Sequence, residues 1–258
     1  AMSLARATWS TRRPWHDVPM PPDRPTHILF DFFGTLVAYV DSRTAQGFDG
    51  SYRMLRQLGA ELSQREFLDT WAATWAAFDD TGDSTGTEFA MTDIGTAYLA
   101  EVLGRQPAHA DVVTFTDRYV AEWNAGVRHL DGVADLVLGL GQRYRLAVVS
   151  NTHRTDLIPD HLRAMGLLSA FDAVVASIEV GWRKPHPKIY SVAMETLGIT
   201  AADAVFVGDT FGPDYLGPER AGIRSYLIDP GRVAPVPPGR RLGSIFDLPV
   251  VLAADLAG

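Results

Sequence analysis

The stretch Ile28-Leu29-Phe30-Asp31-Phe32-Phe33-Gly34-Thr35-Leu36 ends an apolar run on a carboxylate, then adds a glycine turn and a hydroxyl. A buried strand that finishes this way delivers Asp31 to the rim of a sheet. There the carboxylate could attack phosphorus or carbon, hold a metal, or cap a turn. Gly34 would let backbone N–H groups close on an anion, and Thr35 would add a hydrogen bond. Ser150-Asn151-Thr152 follows a second apolar run and offers a hydroxyl and backbone amides to a phosphoryl oxygen, although such a triplet also makes ordinary turns. Lys184 lies in Gly181-Trp182-Arg183-Lys184-Pro185-His186-Pro187, where two prolines pin the backbone around His186. A fixed ammonium there could neutralise a phosphoryl group or a pair of carboxylates. Gly208-Asp209-Thr210-Phe211-Gly212-Pro213-Asp214 puts two acids on a tight loop. That suits Mg²⁺, which takes oxygen ligands from one or two carboxylates plus waters.

These residues need a scaffold that brings them together. Five short apolar runs read as buried strands: 27–30, 146–149, 173–176, 204–207 and 225–228. Four of them end at or just before a polar residue, namely Asp31, Ser150, Ser177 and Asp229; the fifth leads into Gly208-Asp209. Helical stretches near 153–166, 187–198 and 213–222 separate the later strands. Strand alternating with helix predicts parallel crossovers and an α/β sheet. Ligands then bind beyond the carboxyl ends of the strands, where the polar residues would meet.

Residues 41–129 lack a strand pattern. Phe48, Tyr52, Leu55 and Leu58 form one helical stripe, and Phe67, Trp71, Trp75 and Phe78 a second, with Ser63-x-x-Glu66 as its capping box. Phe89, Ile94, Tyr98 and Val102 form a third, and Val112, Phe115, Tyr119 and Trp123 a fourth. The expected division is an N-terminal arm at 1–25, an α/β core at 26–40 and 130–258, and a helical insert at 41–129. The stretch from Gly82 to Gly86 reads as a loop inside the insert. Residues 230–243 read as a proline-rich surface excursion, and 245–256 as a short strand or turn and a helix.

The chain has 258 residues, 47% of them hydrophobic, enough to bury a sizeable core. Its 23 basic and 31 acidic residues give a net charge of -8 and no dense basic stripe, which argues against nucleic acid as a partner. A small anionic substrate stays compatible, because a metal ion and one lysine reverse the local field. There are no cysteines, so disulfides, zinc–thiolate sites and cysteine nucleophiles are excluded. No apolar run approaches the roughly 18–20 residues needed to span a bilayer, and residues 1–25 lack the apolar region of a secretory signal. A cytoplasmic location without membrane contact is expected.

In this order, each at a strand end, the motifs resemble those of the haloacid dehalogenase superfamily over roughly 26–229. Asp31-Phe32-Phe33-Gly34-Thr35-Leu36 matches the first motif except at one position, Ser150 the second, Lys184 in Lys-Pro-His-Pro the third, and Gly208-Asp209 with Asp214 the fourth. The insert looks like the C1 cap of subfamily I. The resemblance implies a Rossmann-like parallel core and hydrolysis of a small phosphorylated substrate. Asp31 would be the nucleophile, forming an aspartyl-phosphate. Mg²⁺ would be held by Asp31, the Phe33 backbone carbonyl and Asp209, with Asp214 a ligand or outer partner. Ser150 would bind phosphoryl oxygens together with Gly34, Thr35 and Asn151, and Lys184 would neutralise charge and orient Asp31.

Phe33 departs from that pattern. Phosphatases of the family usually carry a second Asp there, which protonates the leaving oxygen and later activates water. General acid–base help is worth roughly 10²–10⁴-fold. The expectation is slow turnover, a good leaving group, or another base, for which His153 is a candidate unless it only caps the following helix. A 2-haloacid dehalogenase also lacks the second Asp and typically has Tyr in its place. Its fourth motif usually begins Ser-Ser-Asn, against Gly208-Asp209 here. A catalytically weak binding or regulatory protein is the third reading. Phe33 could also meet an apolar part of a substrate, with Trp71, Trp75 and Phe78 extending that surface unless they form the insert's own core.

Overall fold

The computed structural model describes residues 24–39 and 44–255. The expected N-terminal arm, 1–25, falls almost entirely outside them. β1 (His27–Phe30) is buried along its whole length and apolar from Ile28 onward, as a strand covered on both faces must be. A two-residue strand β2 (Val37–Ala38) follows. Then come four helices, α1 (Asp49–Gln57), α2 (Gln64–Thr85), α3 (Met91–Leu103) and α4 (His109–Asn124). The chain returns through β3 (Arg128–His129), which pairs antiparallel with β2. The remainder alternates: α5 (Val133–Leu140), β4 (Arg145–Ser150), α6 (Leu157–Ala164), β5 (Ala173–Ala176), α7 (Ser177–Val180), α8 (Pro187–Leu197) and β6 (Ala204–Gly208). A π-helical turn at Phe211–Leu216, α9 (Gly217–Arg220), β7 (Arg224–Ile228), β8 (Arg241–Leu242) and α10 (Leu248–Asp255) complete it.

The main sheet is parallel throughout, in the order β5-β4-β1-β6-β7-β8. β1 sits between β4 and β6, and Phe30 stands in register with Val148 and Val207. Asp31, Ser150 and Asp209 therefore emerge along one sheet edge. Side chains alternate across β1: Ile28 and Phe30 join a core with α5, α6 and α10, while Leu29 joins a core with α8. Helices α1–α4 have a separate core in which Trp71 packs on Tyr98, Phe115 and Tyr119 with ring centroids 4.8, 5.3 and 4.7 Å apart. The α/β parallel sheet and the four helical stripes agree with the sequence reading, and the Ser63–Glu66 capping box is present.

The differences are local. No loop opens at Gly82: α2 runs through it to Thr85 and stops at Gly86. The helix expected from 153 starts at Leu157, because the Thr152 hydroxyl bonds the Arg154 backbone and holds that stretch open. The stretch 213–222 splits into the π-helical turn and α9. Residues 230–243 are not a free excursion. Asp229 accepts from the N–H groups of Val233 and Ala234, and β8 adds a sixth strand with Leu242 buried. α5, β2 and β3 carried no signal strong enough to be read. Among the described residues, no helix is long and apolar enough to cross a membrane.

Candidate active site

The sheet edge gathers Asp31, Ser150, Lys184, Asp209 and Asp214. Asp31 is 6% exposed. Its Oδ1 accepts from Ser150 Oγ at 2.9 Å and from Lys184 Nζ at 2.7 Å, and Thr35 Oγ1 donates to its Oδ2 at 3.4 Å. Lys184, itself 3% exposed, also donates to Asp214 Oδ1 at 2.6 Å. One ammonium thus bridges two buried carboxylates. The π-helical turn folds Asp214 back so that its Oδ2 accepts from Thr210 N at 2.9 Å. Gly208 makes that return fit: a Cβ there would lie 2.4 Å from the Asp214 Cβ. Asp31, Asp209 and Asp214 each bring an oxygen within 4.8 Å of the others.

Three acids and one lysine leave the cluster short of positive charge. Burial, then the Asp31 and Asp214 charges, push the Asp209 carboxyl up to about 7. Burial also raises Asp214, to about 6, against the pull of Lys184. Burial opposes the Lys184 charge as well, but Asp214 and Asp31 outweigh it and raise the ammonium above its ordinary range. A divalent cation with hard oxygen preference fits this donor set, since its charge would relieve the carboxylate repulsion. Gly34 shapes the same cradle. It has φ +87°, and a Cβ on it would lie 2.2 Å from Asp209 Oδ2.

Several residues expected at the phosphate also make bonds within the protein. The Gly34 N–H donates to Val37 O at 2.8 Å, closing the turn after Asp31, and the absence of a side chain on the glycine admits Asp209. Asn151 clamps the lysine loop: its Oδ1 accepts from Lys184 N at 2.7 Å and its Nδ2 donates to Lys184 O at 3.0 Å. That braces Lys184 through the side-chain amide, whereas the groups expected to meet a phosphoryl oxygen are backbone amides. His153 Nδ1 lies 3.2 Å from both Glu88 Oε1 and Phe89 O, two acceptors that require a proton on that nitrogen. Its ring stacks on Phe89 at 4.4 Å and touches Trp75 at 4.9 Å, so it belongs to the seam between insert and sheet. Trp71 is fully buried in the insert's own core; Trp75 meets this seam, and Phe78 packs on Phe89. Phe33 meets Phe32 at 5.0 Å, Trp123 at 5.4 Å, Tyr39 at 5.8 Å and the His161 ring at 6.2 Å.

Glu88 was not anticipated. Its side chain is fully buried between α2 and α3, accepts from Ser177 Oγ at 2.5 Å, and pairs with His153. Ser177 Oγ in turn accepts from Thr152 N at 2.8 Å. Burial disfavours the Glu88 charge, but the bonds from His153 and Ser177 prevail and hold its carboxyl below the ordinary range. Arg183 strengthens the seam by donating to Asp79 at 3.3 Å while its N–H reaches Gly86 O at 2.9 Å. The insert is thereby tied to the loops that carry Ser150 and Lys184. Ser177 was visible as a strand-end hydroxyl; an acid in an irregular link such as Thr87-Glu88-Phe89 carries no periodic signal. Glu88→Ala strands the Ser177 and His153 donors, an expected loss of about 1–3 kcal/mol in urea unfolding. A loss below measurement error would show the seam to be dispensable.

Residues 25–222 match a family model for haloacid dehalogenase-like hydrolases. The chain is 39% identical over 119 residues to haloacid dehalogenase-like hydrolase domain-containing protein 3 of Danio rerio, a match covering 45% of this chain and 47% of that protein. It thus spans about half the length of that relative. Identity to the ribulose-1,5-bisphosphate 5-phosphatase of Halopiger xanaduensis is 26% over 210 residues, 80% of this chain and 85% of that enzyme. In fold, the chain is similar to the hydrolase YfnB of Bacillus subtilis, whose structure was solved bound to magnesium; the TM-score is 0.60 at 21% identity, over 89% of this chain and 99% of that one. The family match takes in most of the sheet, the helical insert and every strand-end residue of the carboxylate cluster, and the chain belongs to the haloacid dehalogenase-like hydrolases.

Proposed function

We propose that this hydrolase is a Mg²⁺-dependent phosphatase that works through an aspartyl-phosphate at Asp31, with helices α1–α4 acting as a cap over the Rossmann-like core. One observation carries the reading: Asp31 is held by Ser150 and Lys184 at 2.9 and 2.7 Å, with two further carboxylate oxygens within 4.8 Å. The phosphatase named among the relatives, and the magnesium in the structure of similar fold, support it.

Asp31, Asp209 and the Phe33 carbonyl would hold Mg²⁺, with Asp214 a further ligand or outer partner. Bound there, the ion would offset the acids and draw charge from the phosphoryl oxygens. Lys184 holds the Asp31 carboxylate in place and aims it. An oxygen of Asp31 attacks phosphorus, and the bond to the leaving oxygen breaks with its electron pair. Once Asp31 is esterified, its acceptor strength falls, and the Ser150 hydroxyl and Lys184 ammonium turn to the phosphoryl oxygens. Water then attacks phosphorus, and Asp31 returns as a carboxylate. Phe33 has no proton to give or take in either step.

The aromatic residue at 33 is what favours a dehalogenase instead. Attack on carbon by a lone carboxylate gains nothing from two more acids beside it, however, and their repulsion would have to be borne without purpose. Phosphate release in Mg²⁺ across aryl, sugar, nucleotide and acyl phosphates tests the phosphatase reading. A blank panel from folded protein, followed by chloride release from 2-chloroacids, would favour the other.

The metal assignment has its own readout. At Mg²⁺ a hundredfold above Kd, binding stabilises the fold by about 2.7 kcal/mol, or roughly 5–10 °C in Tm for a chain of this size. Asp209→Ala removes a ligand and should abolish that rise. An unchanged Mg²⁺ response in the variant would remove Asp209 from the metal site.

A further inference from the structure

Phe33 lies two residues past Asp31, so its Cα is within about 7 Å of the Asp31 Cα whatever the turn geometry. Its ring meets Tyr39 and Trp123 at 5.8 and 5.4 Å, and those two rings are 6.1 Å apart. All three side chains are half-buried and keep some surface open. Phe32, fully buried, backs Phe33 at 5.0 Å. The wall is set in place from three elements. Asn124, next to Trp123 at the end of α4, accepts from His161 Nε2 on α6 at 2.6 Å, and His161 Nδ1 accepts from His129 Nε2 on β3 at 3.1 Å. The side chain at the position where a proton donor is expected is therefore one of three converging aromatic rings, with the His161 imidazole, bonded to Asn124 and His129, 6.2 Å from Phe33.

We infer that Phe33, Tyr39 and Trp123 form the subsite for the leaving group, and that the substrate is the phosphate ester of a flat aromatic alcohol. This rests on the phosphatase reading above. Two independent observations point the same way. Rings recognise rings, through offset and edge contacts as well as area. Transfer of a phosphoryl group through a loose transition state also places charge on the leaving oxygen. An alkoxide needs a proton at that moment; a phenoxide, whose conjugate acid has a pKa near 10, leaves without one. The proton balance closes without residue 33. Aryl phosphate and Asp31 give aspartyl-phosphate and aryloxide. Water then gives hydrogen phosphate, free Asp31 and a proton, which the aryloxide takes up through solvent.

The test compares kcat/KM for phenyl phosphate, ethyl phosphate, and acetyl phosphate (a good leaving group without a ring). Phenyl phosphate should exceed ethyl phosphate by on the order of 10²-fold or more. Trp123→Leu should narrow the phenyl-to-acetyl ratio by roughly tenfold. Competitive inhibition isolates binding: phenylphosphonate should bind wild-type protein more tightly than methylphosphonate, with the gap closing in the variant. Equal use of ethyl and phenyl phosphate, or equal binding of the two phosphonates, would overturn the subsite. If Asp31-dependent phosphate appears from acetyl or ethyl but not phenyl phosphate, the aromatic substrate is rejected and the phosphatase reading survives. If none of the three yields Asp31-dependent phosphate, the phosphatase reading falls and this inference with it.

Discussion

Asp31→Asn should lower Mg²⁺-dependent phosphate release by about 10⁴-fold or more, the scale on which enzymes lose activity when a covalent nucleophile is removed. The amide keeps the shape of the carboxylate and one acceptor oxygen, so the Ser150 hydroxyl retains a partner. What it lacks is the negative oxygen that attacks phosphorus. The fold should survive, because two effects oppose one another. Lys184 loses one of its two carboxylate partners, which costs stability. Asp209 and Asp214 lose a neighbour whose charge raises both of them, which relieves strain. Far-UV circular dichroism of the variant, beside phosphate release from the same preparation, checks both halves. Release that persists in folded Asp31→Asn would trace to a contaminant or another nucleophile, and would remove Asp31 from the mechanism.

The parts of this site that sequence could reveal are those fixed by short-range rules. An apolar run ending on a polar residue locates a strand end, and parallel topology lines such ends up; that is why Asp31, Ser150, Asp209 and Asp214 could be nominated together, with Lys184 marked by the prolines that follow it, and all five are found together. The capping box at Ser63 and Glu66 is legible for the same reason, its partners being three residues apart. What escaped depends on contacts across long stretches of chain. Ser177 and Glu88 are 89 residues apart, and no periodicity tells that they meet. Trp123 reads as one of a helical stripe, and only the placement of α4 shows it reaching from that core to Phe33. The bracing role of Asn151 is hidden for a related reason. A polar residue beside a catalytic loop can face substrate or brace its neighbour, and residue type does not say which. Glycine at 34 carries a constraint that no local rule reveals, the approach of Asp209, 175 positions along the chain.

Phe33→Asp should raise turnover of simple alkyl phosphates by about 10²-fold or more, within the range that general acid–base catalysis supplies. The backbone already presents this position for the task. Residue 33 follows the nucleophile on a turn fixed by the Phe33–Val37 bridge and by the N–H groups of Leu36 and Val37 donating to Phe32 O, and none of those bonds uses the side chain. An aspartate there would sit among rings and close to Asp31. Burial and the like charge would both raise its pKa, the direction an acid catalyst requires. The substitution removes one ring from the wall formed with Tyr39 and Trp123, so aryl phosphates should gain less than alkyl ones, and the preference between them should shrink from both sides. That pattern separates a missing proton from a merely altered shape: reshaping alone would weaken aryl esters without improving alkyl ones. The measurement is kcat/KM for ethyl and phenyl phosphate in wild type and variant, with the Mg²⁺-dependent Tm rise as a control for an intact metal site. A folded, Mg²⁺-responsive Phe33→Asp protein with no gain on ethyl phosphate would mean that proton transfer does not limit this enzyme, and that phenylalanine at 33 serves recognition alone.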